Sequence, residues 1–72
     1  MEPEEIGKNV ESLILKNKIS KKEVAQILGI KNNVLENKLS GKEEFYIGEI
    51  IEIKKIFNLS PDDCAKLFFY KE

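Results

Sequence analysis

An all-α fold, a compact bundle of five helices in a single domain over residues 1–72, is predicted by two features of this sequence. Apolar residues recur at intervals of three and four along most of the chain, which is the period of an amphipathic helix. Residues that favour helix ends, above all serine before a helix and glycine after it, punctuate this pattern. No strand is predicted.

The first two helices are separated by a short basic turn. Helix 1 is predicted over about residues 4–16, and the turn Lys16-Asn17-Lys18 ends it. Its apolar residues at helical spacing are Ile6, Val10, Leu13 and Ile14. Helix 2 is predicted to begin at Lys21, because Ser20 is a favoured N-cap and Glu23 completes a capping box. Its residues expected to face inward are Val24, Ala25, Ile27 and Leu28.

Helix 3 follows a tight turn at Gly29, which is expected at positive φ because it comes just after the end of helix 2. The helix runs from Lys31 or Asn32 to Leu39, and Ser40-Gly41 ends it. It buries only a narrow stripe, so most of its side chains are expected to face solvent. The stripe consists of Val34, Leu35 and Leu39.

The last two helices are predicted from apolar content and from a clear start signal. Helix 4, over about 47–57, has more apolar residues than one face requires. Helix 5 begins after Ser60, which is its N-cap, with Pro61 at the first helical position. Asp62 and Asp63 lie in its first turn, where the helix dipole favours acids, so this acidic pair needs no functional explanation.

Composition excludes several classes of protein. The chain has 72 residues, no histidine and one cysteine, Cys64, which argues against a disulfide, a zinc site of the usual kind and an oxidising compartment. No catalytic constellation or phosphate-binding glycine loop is present, so we expect no enzyme, no cofactor and no small-molecule ligand. Without a signal peptide or a long apolar run, a cytoplasmic protein that does not contact a membrane is expected.

The net charge of −1 is unevenly distributed along the chain. Residues 16–42 hold seven lysines against two glutamates, a net charge of +5, whereas residues 1–15 and 43–72 carry −3 each. A local basic patch is what phosphate binding requires. Compositional bias is the competing explanation, since all twelve basic residues are lysine.

Helices 2 and 3 together have the layout of a helix-turn-helix, with small Ala25 where the second helix approaches and Gly29 at the turn. On these residues the sequence resembles the Cro/C1-type helix-turn-helix proteins of phages and Gram-positive bacteria, and is similar to short phage-encoded repressor-like regulators. The resemblance covers nearly the whole chain. Its most specific parts are Lys-Lys-Glu-Val-Ala-Gln-Ile-Leu-Gly-Ile over 21–30 and Leu-Ser-Gly-Lys over 39–42.

The resemblance implies a bundle of the lambda-repressor type that binds DNA, with helix 3 as the recognition helix. Three departures stand out. Lys31 replaces the usual Ser or Thr cap of helix 3, Tyr46 stands where Ser or Thr often caps helix 4, and the recognition helix has no arginine. The first weakens the start of helix 3, and the third removes the commonest reader of guanine.

Base contacts are predicted at the polar start of helix 3 and one turn later. Asparagine pairs with adenine through two hydrogen bonds, and lysine reaches guanine or phosphate. Asn33 and Asn37 are four residues apart and share a face, whereas capping alone explains Asn32. The predicted base-contacting residues are Lys31, Asn32, Asn33 and Asn37.

Phosphate contacts are predicted at the start of helix 2 and around the end of helix 3, where relatives touch the DNA backbone. These residues are Lys21, Lys22, Lys38, Ser40 and Lys42. The Glu36 carboxylate on the recognition helix would repel phosphate, although glutamate can accept a hydrogen bond from cytosine N4. The preferred interpretation is that it pairs with Lys31 or Lys38.

A homodimer is predicted from the C-terminal aromatics, because adjacent aromatic residues on one helix cannot all face one core. The predicted interface residues are Leu67, Phe68, Phe69 and Tyr70. Two recognition helices one DNA turn apart would read a palindrome in double-stranded DNA.

The sequence therefore predicts a phage-type transcriptional repressor acting as a dimer on operator DNA. The acidic pI, the lack of arginine and Glu36 leave open a protein-binding helix-turn-helix module, such as an antirepressor or a small phage inhibitor of a host protein. A structural dimer without a nucleic-acid role is a third alternative. Only DNA binding should weaken steeply with salt.

Overall fold

The computed structural model describes residues 1–69 and consists of five α-helices, the last of which continues as a π-helical segment. The helices are α1 Pro3–Lys16, α2 Lys21–Leu28, α3 Asn32–Ser40, α4 Ile47–Ile56 and α5 Pro61–Cys64, and the π-helical segment is Ala65–Phe69. Residues 1–69 contain no strand, which confirms the predicted all-α fold. Over the same residues no helix has the length and apolar character that crossing a membrane requires.

Serine caps begin two of the helices, as the sequence predicts. Ser20 Oγ accepts from the Glu23 backbone N–H at 3.1 Å, and the Glu23 carboxylate accepts from the Ser20 N–H at 3.4 Å. The Ser60 hydroxyl caps α5 in the same way, at 3.0 Å from the Asp63 N–H. Lys31, by contrast, makes no side-chain hydrogen bond as the N-cap of α3. The first turn of α3 is therefore less well capped than the first turns of α2 and α5, as the departure at Lys31 predicts.

Each of the four turns that join the five helices contains one residue with a positive φ. Gly29 and Gly41 follow α2 and α3 at φ of 70° and 87°, the conformation in which glycine is favoured. Lys18 and Asn58 adopt φ of 56° and 51° without that freedom. The chain thus reverses direction tightly after each helix, which keeps α2 and α3 adjacent.

The core lies where the five helices meet, and it is built mainly from branched aliphatic side chains. Its buried residues are Val10, Ile14, Val24, Ala25, Leu35, Leu39, Ile53, Cys64 and Phe68. Ile27, predicted to face inward, is 48% exposed. The buried face of α2 passes through Val24 and Leu28, and Ile27 lies about 100° around the helix from Leu28. The prediction for Ile27 was wrong because the buried face of α2 is narrower than the set of apolar residues in its sequence.

Helix α1 approaches α3 closely at Gly7, which is buried. A Cβ atom at Gly7 would lie 2.1 Å from the backbone oxygen of Leu39 and 2.9 Å from that of Lys38. A Cβ at Gly41 would likewise lie 2.9 Å from the backbone of Glu4. Two glycines therefore allow the N-terminal half of α1 to rest directly on the C-terminal end of α3.

The C-terminal segment closes the bundle against α1. The Asn9 side-chain amide donates to the backbone oxygen of Leu67 at 2.9 Å, across 58 positions of sequence. Phe68 points into the core and is 3% exposed, whereas its neighbour Phe69 is 56% exposed. Two adjacent aromatics on the π-helical segment are thus divided between the core and the surface.

Candidate nucleic-acid interface

Helices α2 and α3 form the pair that the sequence predicts. The turn between them is closed by a 3.0 Å hydrogen bond from the Ile30 N–H to the Ala25 oxygen. Ala25 is 1% exposed, and its small side chain leaves room for α3 beside α2. The polar face of α3 is consequently held at the surface by Leu35 and Leu39 in the core.

The structure brings three of the predicted base-contacting residues together. Lys31, Asn32 and Asn33 are consecutive, exposed and located at the N-terminal end of α3. Within residues 1–69, neither asparagine side chain makes a hydrogen bond. Their amide donors and acceptors are therefore available to base edges or phosphates.

Asn37 lies one turn further along α3 in a different environment. It is half-buried, and its side-chain amide donates to the Glu43 carboxylate at 2.9 Å. Its backbone oxygen accepts from the Lys42 N–H at 2.9 Å and from Ser40 Oγ at 3.1 Å. Asn37 therefore has a structural role at the end of α3, and its amide would have to leave Glu43 to reach a base.

Lys38 is not a phosphate contact, and that prediction was wrong. Its side chain is 2% exposed, with Nζ at 2.8 Å from Glu49 Oε1 and 2.9 Å from the backbone oxygen of Glu44. The ring of Tyr46 lies over the ammonium, 4.1 Å away. Lys38 follows Leu35 by three positions, so it belongs to the buried stripe of α3 and not to its polar face.

Glu49 is the residue that the sequence analysis missed. The oxygen that binds Lys38 also accepts the Tyr46 N–H at 2.8 Å, which caps the start of α4. One carboxylate thus fixes the end of α3 and the start of α4 relative to each other. The available signal was a lysine at the spacing of the buried leucines, with a glutamate in the first turn of α4 as a partner.

Lys21 bridges three helices. Its Nζ lies 3.1 Å from the Glu11 carboxylate of α1 and 3.0 Å from the Glu36 carboxylate of α3. Glu36 and then Glu11 raise the pKa of Lys21 above its ordinary value, so this side chain remains a cation. The expected partners of Glu36, Lys31 and Lys38, were therefore wrong. Two carboxylates more than neutralise Lys21, which makes it a weak candidate for phosphate.

The other predicted phosphate contacts are well placed. Lys22, Ser40 and Lys42 are exposed at the start of α2 and the end of α3. Of the seven lysines in residues 16–42, five make no ion pair within the described residues. These five are Lys16, Lys18, Lys22, Lys31 and Lys42. The basic patch therefore survives the loss of Lys21 and Lys38, though with less charge.

The predicted dimer residues are separated by the fold. Phe68 belongs to the core of its own chain, so it cannot anchor a partner, and this part of the prediction was wrong. Leu67 is half-buried, Phe69 is exposed, and Tyr70 lies outside the described residues. Within residues 1–69, the exposed C-terminal aromatic is Phe69, which is a small surface for an interface.

Comparison with known proteins gives one finding. The family model of the Cro/C1-type HTH DNA-binding domain matches residues 9–68, from the middle of α1 to the π-helical segment. Searches of curated proteins and of solved structures gave no match.

Proposed function

The chain belongs to the Cro/C1-type helix-turn-helix DNA-binding family, and we propose that it is a sequence-specific transcriptional regulator of the phage-repressor type. In this proposal it acts in the cytoplasm as a homodimer on operator DNA. The observation that supports it most is the exposed group Lys31, Asn32 and Asn33 at the N-terminal end of α3. Such a group enters the major groove first when a recognition helix docks.

The proposed contacts follow from chemistry and exposure. Asn32 and Asn33 would each offer a donor and an acceptor to adenine, and Lys31 would reach guanine or a neighbouring phosphate. Lys22 and Lys42 lie at the two ends of the helix-turn-helix and would neutralise phosphates. Ser40 would add its hydroxyl near Lys42 after leaving the Asn37 backbone oxygen, to which it donates at 3.1 Å. Catalysis has no part in this mechanism, in keeping with a family of DNA-binding domains.

Asn33→Ala is expected to lower affinity for a preferred site more than affinity for random DNA. The loss of discrimination should be about 1–3 kcal/mol if Asn33 reads a base. Titration of both DNAs by fluorescence anisotropy measures it. Asn37→Ala is the comparison on the same helix and should cost less discrimination, because its amide is bound to Glu43. Equal losses on both DNAs for Asn33→Ala would contradict base reading.

Lys22→Ala and Lys42→Ala are expected to weaken binding to all sequences alike. Each should also reduce the slope of log K against log salt by roughly one unit, the mark of one lost phosphate contact. Lys66→Ala is the matched control, since Lys66 is exposed on the π-helical segment, which packs against α1 and α5. An unchanged slope for Lys22→Ala and Lys42→Ala would remove both residues from the interface.

The second candidate is a protein-binding module, favoured by the ion pairs of Lys21 with Glu11 and Glu36, in which two carboxylates and one ammonium leave a local excess of negative charge where α1, α2 and α3 meet. Exposed Ile27 on α2 adds an apolar contact point. Titration against a random DNA pool at about 50 mM salt distinguishes the two. Absence of binding there would favour the protein partner, whereas binding that falls steeply with salt supports the regulator.

A further inference from the structure

Helix α4 presents an apolar face to solvent. Tyr46, Ile47 and Ile51 are 70%, 64% and 48% exposed, whereas Ile53 on the opposite side of the helix is fully buried. Ile47 and Ile51 are four residues apart and so lie one above the other on the same side of α4. Adjacent exposed apolar side chains of this size mark interaction surfaces. The helix-4 face, as we name it, consists of Tyr46, Ile47, Gly48, Ile51 and Lys55.

Gly48 lies within this face and has no intramolecular reason to be glycine. A Cβ atom there would meet nothing within 4 Å, and Gly48 is not among the residues at positive φ. Gly48 is the second residue of α4, where alanine would favour the helix more than glycine does. Close approach by another chain is one reason for a glycine here, because the missing side chain leaves space beside Ile51.

The helix-4 face is acidic at one end and basic at the other. Glu43 and Glu44 are exposed just before α4, and Lys55 is exposed near its end, about 12 Å along the helix axis from Ile47. The nearest ionic partner of Lys55 within the described residues is Glu52, at 3.7 Å. Two copies related by a twofold axis bring the same surface patch together with its direction reversed. A face with this polarity is therefore complementary to itself.

We propose that the helix-4 face binds a second copy of this chain, with the two α4 helices antiparallel. Ile51 of each copy then packs into the space beside Gly48 of the other, and Glu44 of each copy faces Lys55 of the other. The inference rests on the proposed function, in which the regulator is a homodimer. It replaces the C-terminal aromatics as the contact surface, because Phe68 is in the core.

The position of this face connects assembly to DNA reading. Tyr46, at the N-terminal end of the helix-4 face, covers the Lys38 ammonium, and Lys38 is bound to Glu49 of α4. The contact surface is therefore joined to the end of α3 by a buried ion pair. A dimer formed there would fix the separation of its two recognition helices, and with it the spacing of operator half-sites, about 10 base pairs.

The first test is Ile51→Lys, measured by sedimentation equilibrium of the full chain without DNA up to several hundred micromolar. The dimer dissociation constant is expected to rise at least about tenfold, as for an interface hot spot. Leu15→Lys is the matched control, because Leu15 is 70% exposed on α1 and lies outside the helix-4 face. Circular dichroism confirms that both variants are folded.

A charge exchange tests the antiparallel arrangement itself. Glu44→Lys and Lys55→Glu each place like charges opposite each other in their own homodimers, so each variant alone should dimerise more weakly than the wild type. An equimolar mixture should recover the dimer, because both contacts then join a lysine to a glutamate. A variant that merely disturbs its own fold would gain nothing from mixing.

The outcomes separate the two proposals. A wild-type chain that remains monomeric, or a dimer that Ile51→Lys leaves intact while Phe69→Lys dissociates it, overturns the helix-4 interface. So does a mixture of the charge variants that stays monomeric. Titration of the wild type on DNA tests the proposed function independently. A dimer sensitive to Ile51→Lys that binds no DNA would keep the interface and refute the regulator.

Discussion

Lys38→Ala is expected to lower the free energy of unfolding by about 3–5 kcal/mol, the cost of breaking a buried ion pair by removing one partner. The change leaves the Glu49 carboxylate, whose side chain is only 12% exposed, without its cation. It also removes the donor to the Glu44 oxygen and opens a cavity beneath Tyr46. Since domains of this size have a free energy of unfolding of only about 4–11 kcal/mol, a much larger fraction of the Lys38→Ala molecules would be unfolded at 37 °C.

Urea denaturation followed by circular dichroism measures this loss. Lys55→Ala, measured like Lys38→Ala at a concentration at which the chain is monomeric, is the control, because its pair with Glu52 is exposed and should contribute less than about 0.5 kcal/mol. The double variant Lys38→Met with Glu49→Gln should recover most of the stability, since it removes both charges and keeps an acceptor for the Tyr46 N–H. A Lys38→Ala protein as stable as the Lys55→Ala protein would show that the pair is not structurally important.

Gly7→Ala is expected to have the second largest effect, a loss of about 3 kcal/mol, at the upper end of the range for overpacking. The new methyl group would lie 2.1 Å from the Leu39 oxygen and 2.6 Å from its carbonyl carbon. Both are backbone atoms, so the clash can be relieved only by moving α1 away from α3. The higher helix propensity of alanine offsets no more than about 1 kcal/mol of this.

Gly48→Ala provides a control of opposite sign. A Cβ at Gly48 would meet nothing within 4 Å, so alanine should stabilise the monomer, by less than the roughly 0.5–1 kcal/mol of a mid-helix glycine because Gly48 lies in the first turn of α4. Thermal unfolding of both variants at low concentration compares them directly. Gly7→Ala should also weaken DNA binding, because α3 would be displaced. A Gly7→Ala variant with wild-type stability would mean that α1 and α3 are not in close contact in solution.

Local signals in the sequence predicted the fold well. The serine caps at Ser20 and Ser60 and the glycine at position 29 act through neighbouring residues, so they can be recognised from a short stretch of chain. Adjacent Phe68 and Phe69 correctly implied that one aromatic would be exposed. Which of the two is buried depends on how the C-terminal segment packs against α1, which spacing alone does not indicate.

The candidate site was less predictable because its ion pairs join residues from different helices. Lys21 was interpreted from its position at a helix start, whereas its partners Glu11 and Glu36 come from α1 and α3. Lys38 was predicted to contact phosphate because it lies near the end of helix 3, and only the approach of Glu49 makes its burial possible. Charge alone identified the basic segment, but only the packing decides which lysines remain available.

The close packing of α1 against α3 has a consequence for which parts of the domain unfold locally and which only globally. Val10 and Ile14 are almost completely buried, and Asn9 holds the distant C-terminal segment, so their amide hydrogens should exchange with solvent only on global unfolding. The first amides of α3, behind an N-cap without a side-chain bond, should exchange by local fraying instead. Protection of the amide hydrogens from exchange should therefore decrease along α3, from its C-terminal end, which is packed against α1, to its exposed N-terminal end. The part of the helix that would meet a base is the part left free to adjust to it.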